Sequence, residues 1–180
     1  MRGYQVLTAR DGQEALAMVA ETRPAVIVTD ILMPRVDGFA LAHRLRANPL
    51  TTRIPIIFLS ATYVSAEDER FALNLGALRF LPKPIDSDEL FIAVADALTG
   101  QPEAAPPPMS DREFYMGYRQ RLENKLRQKS IQLSRNQQQA AAVPADQRDT
   151  YSRLLAESQE QFNELQRELS VLNQVLQALA

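Results

Sequence analysis

The sequence contains no cysteine, which excludes disulfides, thiolate metal sites and cysteine nucleophiles. It also has no apolar run of membrane-spanning length, and its N-terminus lacks the apolar core of a signal peptide. The formal net charge of -2 predicts neither a nucleic-acid binder nor an acidic tail, so long-range electrostatics do not indicate the partner. These absences predict a soluble, cytoplasmic protein.

Residue usage divides the chain into two regions joined by a proline-rich connector. Residues 1–100 mix apolar and polar side chains, residues 101–109 include the run QPEAAPPP, and residues 110–180 are rich in Gln, Leu, Arg and Glu. Proline-rich segments act as stiff spacers between domains. We therefore expect a domain at 1–100, a linker at 101–109 and a helical tail at 110–180.

Within residues 1–100, strand and helix patterns alternate along the chain. The runs that predict strands are YQVLT, AVIVTD, IPIIFLS and ALRFLPKP, and amphipathic helical patterns separate them. This alternation predicts a doubly wound α/β fold with a parallel sheet, in which ligands bind at the carboxyl ends of the strands. Three polar residues fall at such ends, namely Asp30, Ser60 and Lys83.

These three residue types are chemically complementary. A carboxylate can attack a phosphoryl group, a hydroxyl can hydrogen-bond one of its oxygens, and an ammonium group can neutralise the charge that develops. The segments VTDILMPRVDGF, IIFLSA and GALRFLPKPI are similar, in this order, to three motifs of the response-regulator receiver domain, the phosphoacceptor module of two-component signalling. Over Tyr4–Thr99 the chain thus resembles that family, which implies a flavodoxin-like fold.

The resemblance implies a role for each matched position. Asp30 would be the phosphorylated residue, Ser60 the switch hydroxyl, and Lys83 the cation that contacts the phosphoryl group, with a cis bond to Pro84. Phe80 would be the aromatic residue that reports phosphorylation, and Ala61 the small residue that leaves access to the site. The main-chain carbonyl of Leu32 would bind Mg²⁺ together with Asp30.

The family's acidic pair, which holds Mg²⁺ at the end of the first strand, has no counterpart in this sequence. One carboxylate and one carbonyl do not satisfy a hard divalent cation, and only 29 residues precede Asp30. We expect the first strand and most of the first helix to be missing, because the chain is a truncated form of a longer product. The alternative is a natural degenerate receiver with a rearranged sheet or a borrowed strand. We expect Asp30 to accept phosphate poorly in this chain and normally in a complete domain.

Other polar residues near the motifs have structural interpretations. Asp37 and Gly38 are expected to shape the loop and begin the next helix rather than to contact phosphate. The single histidine, His43, is interpreted as a surface or boundary residue of a helix.

The tail has two helical patterns. Ser110 and Glu113 form a capping-box pattern before an apolar stripe made by Tyr115, Tyr118, Leu122, Leu126 and Leu133. After Pro144, heptad spacing joins Tyr151, Leu155, Ser158, Phe162, Leu165, Leu169, Leu172, Leu176 and Leu179. This seam predicts pairing with the first tail helix, with a second copy of the chain, or with another coiled coil. The first helix of the tail is basic but has no aromatic residues interleaved with its basic ones, so we do not expect nucleic-acid binding.

Two functions remain open from the sequence. The first is a response regulator that accepts a phosphoryl group on Asp30 from a sensor histidine kinase or phosphotransfer protein and signals through protein contacts of its tail. The second is a phosphorylation-independent pseudo-receiver that serves as a dimerised docking scaffold. Neither is an enzyme beyond slow self-dephosphorylation. The cognate kinase and the downstream target are not encoded in any recognisable motif.

Overall fold

A computed structural model describes residues 3–61, 65–100, 107–140 and 148–179. The chain divides into two compact units, Met1–Met109 and Ser110–Ala180. Most of the predicted linker, residues 101–106, lies outside the described residues. The elements of the first unit are α1 (Gly12–Glu21), β1 (Ile27–Asp30), α2 (Gly38–Ala47), β2 (Ile56–Ser60), α3 (Ala66–Asn74), β3 (Arg79–Pro82) and α4 (Ser87–Thr99). Those of the second are α5 (Asp111–Ala140) and α6 (Arg148–Ala178).

The three strands form a parallel sheet in the order β1-β2-β3. Successive side chains of β2 point to opposite faces of the sheet. On one face, Ile57 packs with Ala93 and Ala97 of α4. On the other face, the ring centroids of Phe58 and of Phe39 in α2 are 5.2 Å apart. Burial of each such side chain contributes roughly 1.5–3 kcal/mol. Helices thus cover both faces of a parallel sheet, which confirms the predicted α/β architecture.

The strand predicted at Tyr4–Thr8 is wrong. This segment has no strand structure, and Tyr4, Val6 and Leu7 are exposed. A β-rich sequence becomes a strand only where a neighbouring strand completes its main-chain hydrogen bonds. Among the described residues β1 is an edge strand, and no strand lies beyond it that could pair with Tyr4–Thr8.

Side-chain caps set the beginnings of the helices. The Asp11 carboxylate accepts hydrogen bonds from the main-chain N–H groups of Gln13 and Glu14 at the start of α1. At the start of α2, the Asp37 carboxylate accepts from the Ala40 N–H at 2.7 Å, which confirms the predicted cap. Each such cap stabilises a helix by about 1 kcal/mol.

Two polar side chains of α2, His43 and Arg46, are buried, and for His43 the prediction is wrong. His43 is buried rather than a surface or boundary residue, and its Nε2 lies 3.0 Å from the main-chain oxygen of Met109. Arg46 donates to the carbonyls of Ile54 (3.0 Å) and Gly76 (2.7 Å), and burial lowers the pKa of its guanidinium. The α2 pattern did not reveal this burial because the partners are main-chain oxygens of distant loops.

The second unit is a pair of long helices that pack against each other. Tyr118 of α5 donates a hydrogen bond to the Glu168 carboxylate of α6 at 2.5 Å, and the predicted capping box at Ser110 and Glu113 is present. On α6, Leu172 is buried and the rest of the predicted seam is half-buried, whereas Leu179, which follows the last residue of α6, is exposed. The helical tail is confirmed, with pairing inside one chain. No helix within the described ranges meets the length and apolarity that crossing a bilayer requires.

Candidate functional site

The loop that follows β1 holds Asp30 at the carboxyl end of the sheet. The next residue, Ile31, is buried, and its N–H donates to the carbonyl of Leu59 in β2 at 3.2 Å. The Gly38 N–H donates back to the Ile31 carbonyl at 2.8 Å, and a Cβ at position 38 would overlap the main-chain oxygen of Asp30. Glycine is therefore required for this close return of the loop, which fixes the backbone of Asp30.

Lys83 reaches Asp30 from the loop after β3. The Lys83 N–H donates to the Ser60 carbonyl at 2.7 Å, which joins this loop to the end of β2. The bond from Lys83 to Pro84 is cis, as predicted. The Nζ atom of Lys83 lies 2.6 Å from Oδ1 of Asp30, and the two side chains are 38% and 45% exposed. This ion pair is therefore open to an incoming reactant.

A small cavity of about 100 Å³ lies where these strand ends meet. Its lining includes five positions that the sequence predicted for the site: Asp30, Leu32, Ser60, Ala61 and Lys83. Ser60 is only 4% exposed. Phe80 lies on β3 opposite Phe58 and is not among the lining residues. The structure thus brings together the carboxylate, the hydroxyl and the ammonium group, but not the aromatic residue.

The described residues do not fit the Mg²⁺ ion that the resemblance implies. They contain no group of three or more His, Cys, Asp or Glu side chains that could hold a metal. The nearby Asp11 carboxylate is fully buried, caps α1 and is paired with Arg35. Asp30 and the Leu32 carbonyl alone leave most of an octahedral shell unfilled.

An ion pair between Arg35 and Asp11, which the sequence did not reveal, connects the loop after β1 to the start of α1. Arg35, which has a φ of 62°, pairs with the buried carboxylate of Asp11, and the Gly12 N–H donates to the Val36 carbonyl at 3.1 Å. In the sequence, Asp11 and Glu14 have the spacing of a capping box, which indicates only a helix cap. A single sequence carries no signal for a partner as far along the chain as Arg35.

Comparison with known proteins assigns the first unit. The family model of the response regulator receiver domain matches residues 1–95. The chain is 41% identical over 92 residues to the response regulator PleD of Caulobacter vibrioides, covering 51% of this chain and 20% of that protein. It is 39% identical over 112 residues to the response regulator MprA of Mycobacterium tuberculosis, covering 61% and 47%. It thus spans less than half the length of either relative.

Among solved structures, the receiver domain of the Francisella response regulator 1452 is similar to this chain. The two superpose with a TM-score of 0.51 at 35% identity, over 54% of this chain and 78% of that one.

Proposed function

The chain belongs to the response regulator receiver family, and from this premise we propose that Asp30 accepts a phosphoryl group in two-component signalling. The observation that carries the proposal is the junction of Asp30, Ser60 and Lys83 around one small cavity, with the lysine Nζ 2.6 Å from the carboxylate. Receiver domains interact with sensor kinases or phosphotransfer proteins. The proposed phosphoryl donor is a phosphohistidine of such a partner.

In the proposed reaction an oxygen of the Asp30 carboxylate attacks the phosphorus of a phosphoimidazole. The new P–O bond forms as the P–N bond breaks. The electron pair of the P–N bond stays on the departing imidazole nitrogen, which then takes up a proton from solvent. The Lys83 ammonium neutralises negative charge on the transferred oxygens, and the Ser60 hydroxyl donates a hydrogen bond to one of them. Phe80 is proposed to rotate with the loop when the phosphoryl group is present.

Receiver domains generally bind Mg²⁺ in an acidic pocket. The described residues supply only Asp30 and the Leu32 carbonyl for that purpose, so we expect phosphorylation of this chain to be slow. The same observation favours a second candidate, a pseudo-receiver that works as a docking scaffold without phosphate. Both candidates are binding proteins of the cytoplasm rather than enzymes, apart from slow self-dephosphorylation in the first.

We assign the output to the helical tail. The match to the family ends at residue 95, so α5 and α6 lie outside it and would act through protein contacts. The half-buried seam of α6 supports a coiled-coil partner, with a second copy of the chain as the simplest one.

Intact mass after incubation with a small-molecule phosphodonor and Mg²⁺ tests the phosphoacceptor proposal. We expect slow incorporation of at most one phosphate per chain, and none in Asp30→Asn. The matched control is Asp37→Ser, which removes another carboxylate of the same loop but keeps a helix cap, and which should still be phosphorylated. Absence of phosphate from the unsubstituted chain would favour the scaffold instead.

A further inference from the structure

The end of the linker contacts α2 through a buried histidine. The Nε2 atom of His43 lies 3.0 Å from the main-chain oxygen of Met109, although the two residues are 66 positions apart in the chain. A carbonyl oxygen only accepts hydrogen bonds, so Nε2 carries the proton and donates it. The histidine is 7% exposed. The contact is therefore a directed tertiary hydrogen bond in a place that water hardly reaches.

Met109 is the point at which this part of the chain meets the first unit. It is half-buried, whereas Pro107 and Pro108 before it and Ser110 after it are exposed. The two prolines have no N–H group, so they cannot add main-chain donors of their own. Burial and the hydrogen bond thus coincide at one residue. This is the arrangement of an anchor rather than of a segment that packs along its whole length.

The position of His43 on α2 is at the border of the buried face of that helix. This face centres on Phe39, Ala42 and Leu45, which are at most 1% exposed. His43 follows Ala42 directly, and successive residues of an α-helix are rotated by about 100°. A side chain at this border is buried only if something outside the helix covers it. The end of the linker supplies such a cover at Met109.

The anchoring helix is also the helix that begins at the loop after β1. α2 starts at Gly38, whose N–H donates at 2.8 Å to the carbonyl of Ile31, the first residue of that loop. His43 follows five residues later, about 7.5 Å along the helix axis. Met109 is the last residue of the first unit, and α5 begins at Asp111. The hydrogen bond therefore holds the end of the linker on a helix that is fixed at the candidate site.

We propose that His43 is a positioning residue, which anchors the end of the linker on α2 by donating a hydrogen bond to the Met109 carbonyl. The anchor fixes the place where the chain leaves the first unit. It rests on this contact and not on phosphorylation of Asp30. The net free energy of one hydrogen bond corresponds to about a fivefold change in an equilibrium constant. Loss of the donor should lower the ratio of docked to undocked linker ends by about this factor.

The imidazole itself provides the first test. His43 is the single histidine of the chain, so its ring signals in a nuclear magnetic resonance spectrum are unambiguous. In the ¹⁵N-labelled full chain we expect a proton on Nε2 that exchanges slowly with solvent, and a nuclear Overhauser effect between the ring and Met109. A proton on Nδ1 alone, or no Overhauser effect to Met109, would overturn the proposal.

A spin label tests whether the end of the linker is docked. The chain has no cysteine, so Pro108→Cys gives one attachment site at an exposed position beside Met109. The label broadens the amide signals of nearby residues. We expect strong broadening at Arg44, which is exposed on α2 next to His43. The amide of Ala93, in the helix on the opposite face of the sheet, is the internal reference.

Two substitutions of His43 separate its donor from its packing. His43→Gln keeps a side-chain N–H donor, whereas His43→Leu keeps a side chain of moderate size without one. In the labelled chain we expect the glutamine variant to retain most of the broadening at Arg44. In the leucine variant the ratio of docked to undocked linker ends should fall by about fivefold. Thermal unfolding of each variant shows whether it is folded.

Three results of the labelling experiment would overturn the proposal. The first is no broadening at Arg44 in the chain that retains His43. The second is equal broadening with histidine, glutamine and leucine at position 43, which would mean that packing alone holds the linker. The third is an equal loss in both folded variants, which would mean that the donor is not the feature that matters. Should the variants fail to fold, the imidazole signals decide alone.

Discussion

Asp30 and Lys83 form an ion pair that solvent reaches, with both side chains more than a third exposed. Exposed ion pairs contribute only about 0–1 kcal/mol to stability, because water screens the charges and the side chains lose entropy. We therefore propose that this pair, at the junction of three strand ends, serves phosphoryl transfer more than folding. Lys83 holds a positive charge where a transferred phosphoryl group would bring a negative one.

Replacement of this lysine should separate function from stability. We expect Lys83→Ala to change the free energy of unfolding by less than about 1 kcal/mol and to reduce phosphate incorporation at least tenfold. The control is Arg79→Ala, which removes the exposed ion pair with Asp96 (3.2 Å) from the same strand region. Intact mass and denaturant unfolding measure the two effects. Equal phosphorylation of both variants would contradict the role given to Lys83.

The buried carboxylate of Asp11 should contribute more to stability than a cap alone. It caps α1 and pairs with Arg35, whose side chain is 61% exposed. We expect Asp11→Ala to destabilise the protein by about 1–3 kcal/mol, against about 1 kcal/mol for the cap variant Asp37→Ala.

A double-mutant cycle with Arg35→Ala isolates the ion pair. We expect a coupling free energy of about 1 kcal/mol, since the buried Asp11 carboxylate loses a partner when Arg35 is removed. A coupling of zero would mean that Arg35 does not contribute to holding the loop after β1.

At the scale of single elements, the start of α5 carries a pH-dependent cap. Hydrogen bonds from the Ser110 side chain and main chain lower the pKa of the Glu113 carboxyl below its ordinary 4.5. A carboxyl whose pKa is lowered by folding stabilises the folded form above its ordinary pKa, and loses this contribution as pH falls through the lowered value. We expect the first turn of α5 to lose hydrogen-exchange protection in that acidic range. Glu113→Gln should show no such transition, and a transition of equal size in that variant would exclude Glu113 as its source.

Most elements could be predicted from the sequence because their determinants are local. The caps Asp37 and Ser110 lie next to the helices that they begin, and the carboxyl ends of parallel strands meet at one edge, which brings Asp30, Ser60 and Lys83 together. The prediction of a strand at Tyr4–Thr8 was wrong because a strand needs a neighbouring strand, and the residues of the segment itself do not specify one.

The features that the sequence did not reveal depend on distant partners. Arg46 binds carbonyls eight and thirty positions away, and Asp11 pairs with Arg35 across an entire helix and strand. Phe114, which is almost completely buried at the start of α5, lies one residue from the predicted stripe. A single sequence does not specify the distant partners of side chains such as those of Arg46 and Asp11.

At the scale of the whole molecule, a receiver unit and a helical pair are joined in one chain. A two-helix pair covers only one side of each helix, and long hairpins commonly complete their cores as four-helix bundles. The seam of α6 is half-buried rather than buried along most of its length. We therefore expect a second copy to cover the remaining surface of this seam.

Analytical ultracentrifugation over a range of concentrations tests this dimer. We expect a dimer that dissociates on dilution, and a shift toward monomer in Leu165→Gln, which lies on the seam. Leu154→Gln makes the same change at an exposed position of α6 and should leave the mass distribution unchanged. A monomer at all concentrations would restrict the seam to pairing within one chain.

The central claim is that Asp30 is the phosphoacceptor, and site localisation tests it most directly. After incubation with a phosphodonor, borohydride reduces an aspartyl phosphate to homoserine, which peptide mass spectrometry identifies by position. We expect homoserine at position 30 and at no other carboxylate, including Asp37 in the same loop. Homoserine elsewhere, or none after an extended reaction, would contradict the account and leave the scaffold as the function of this chain.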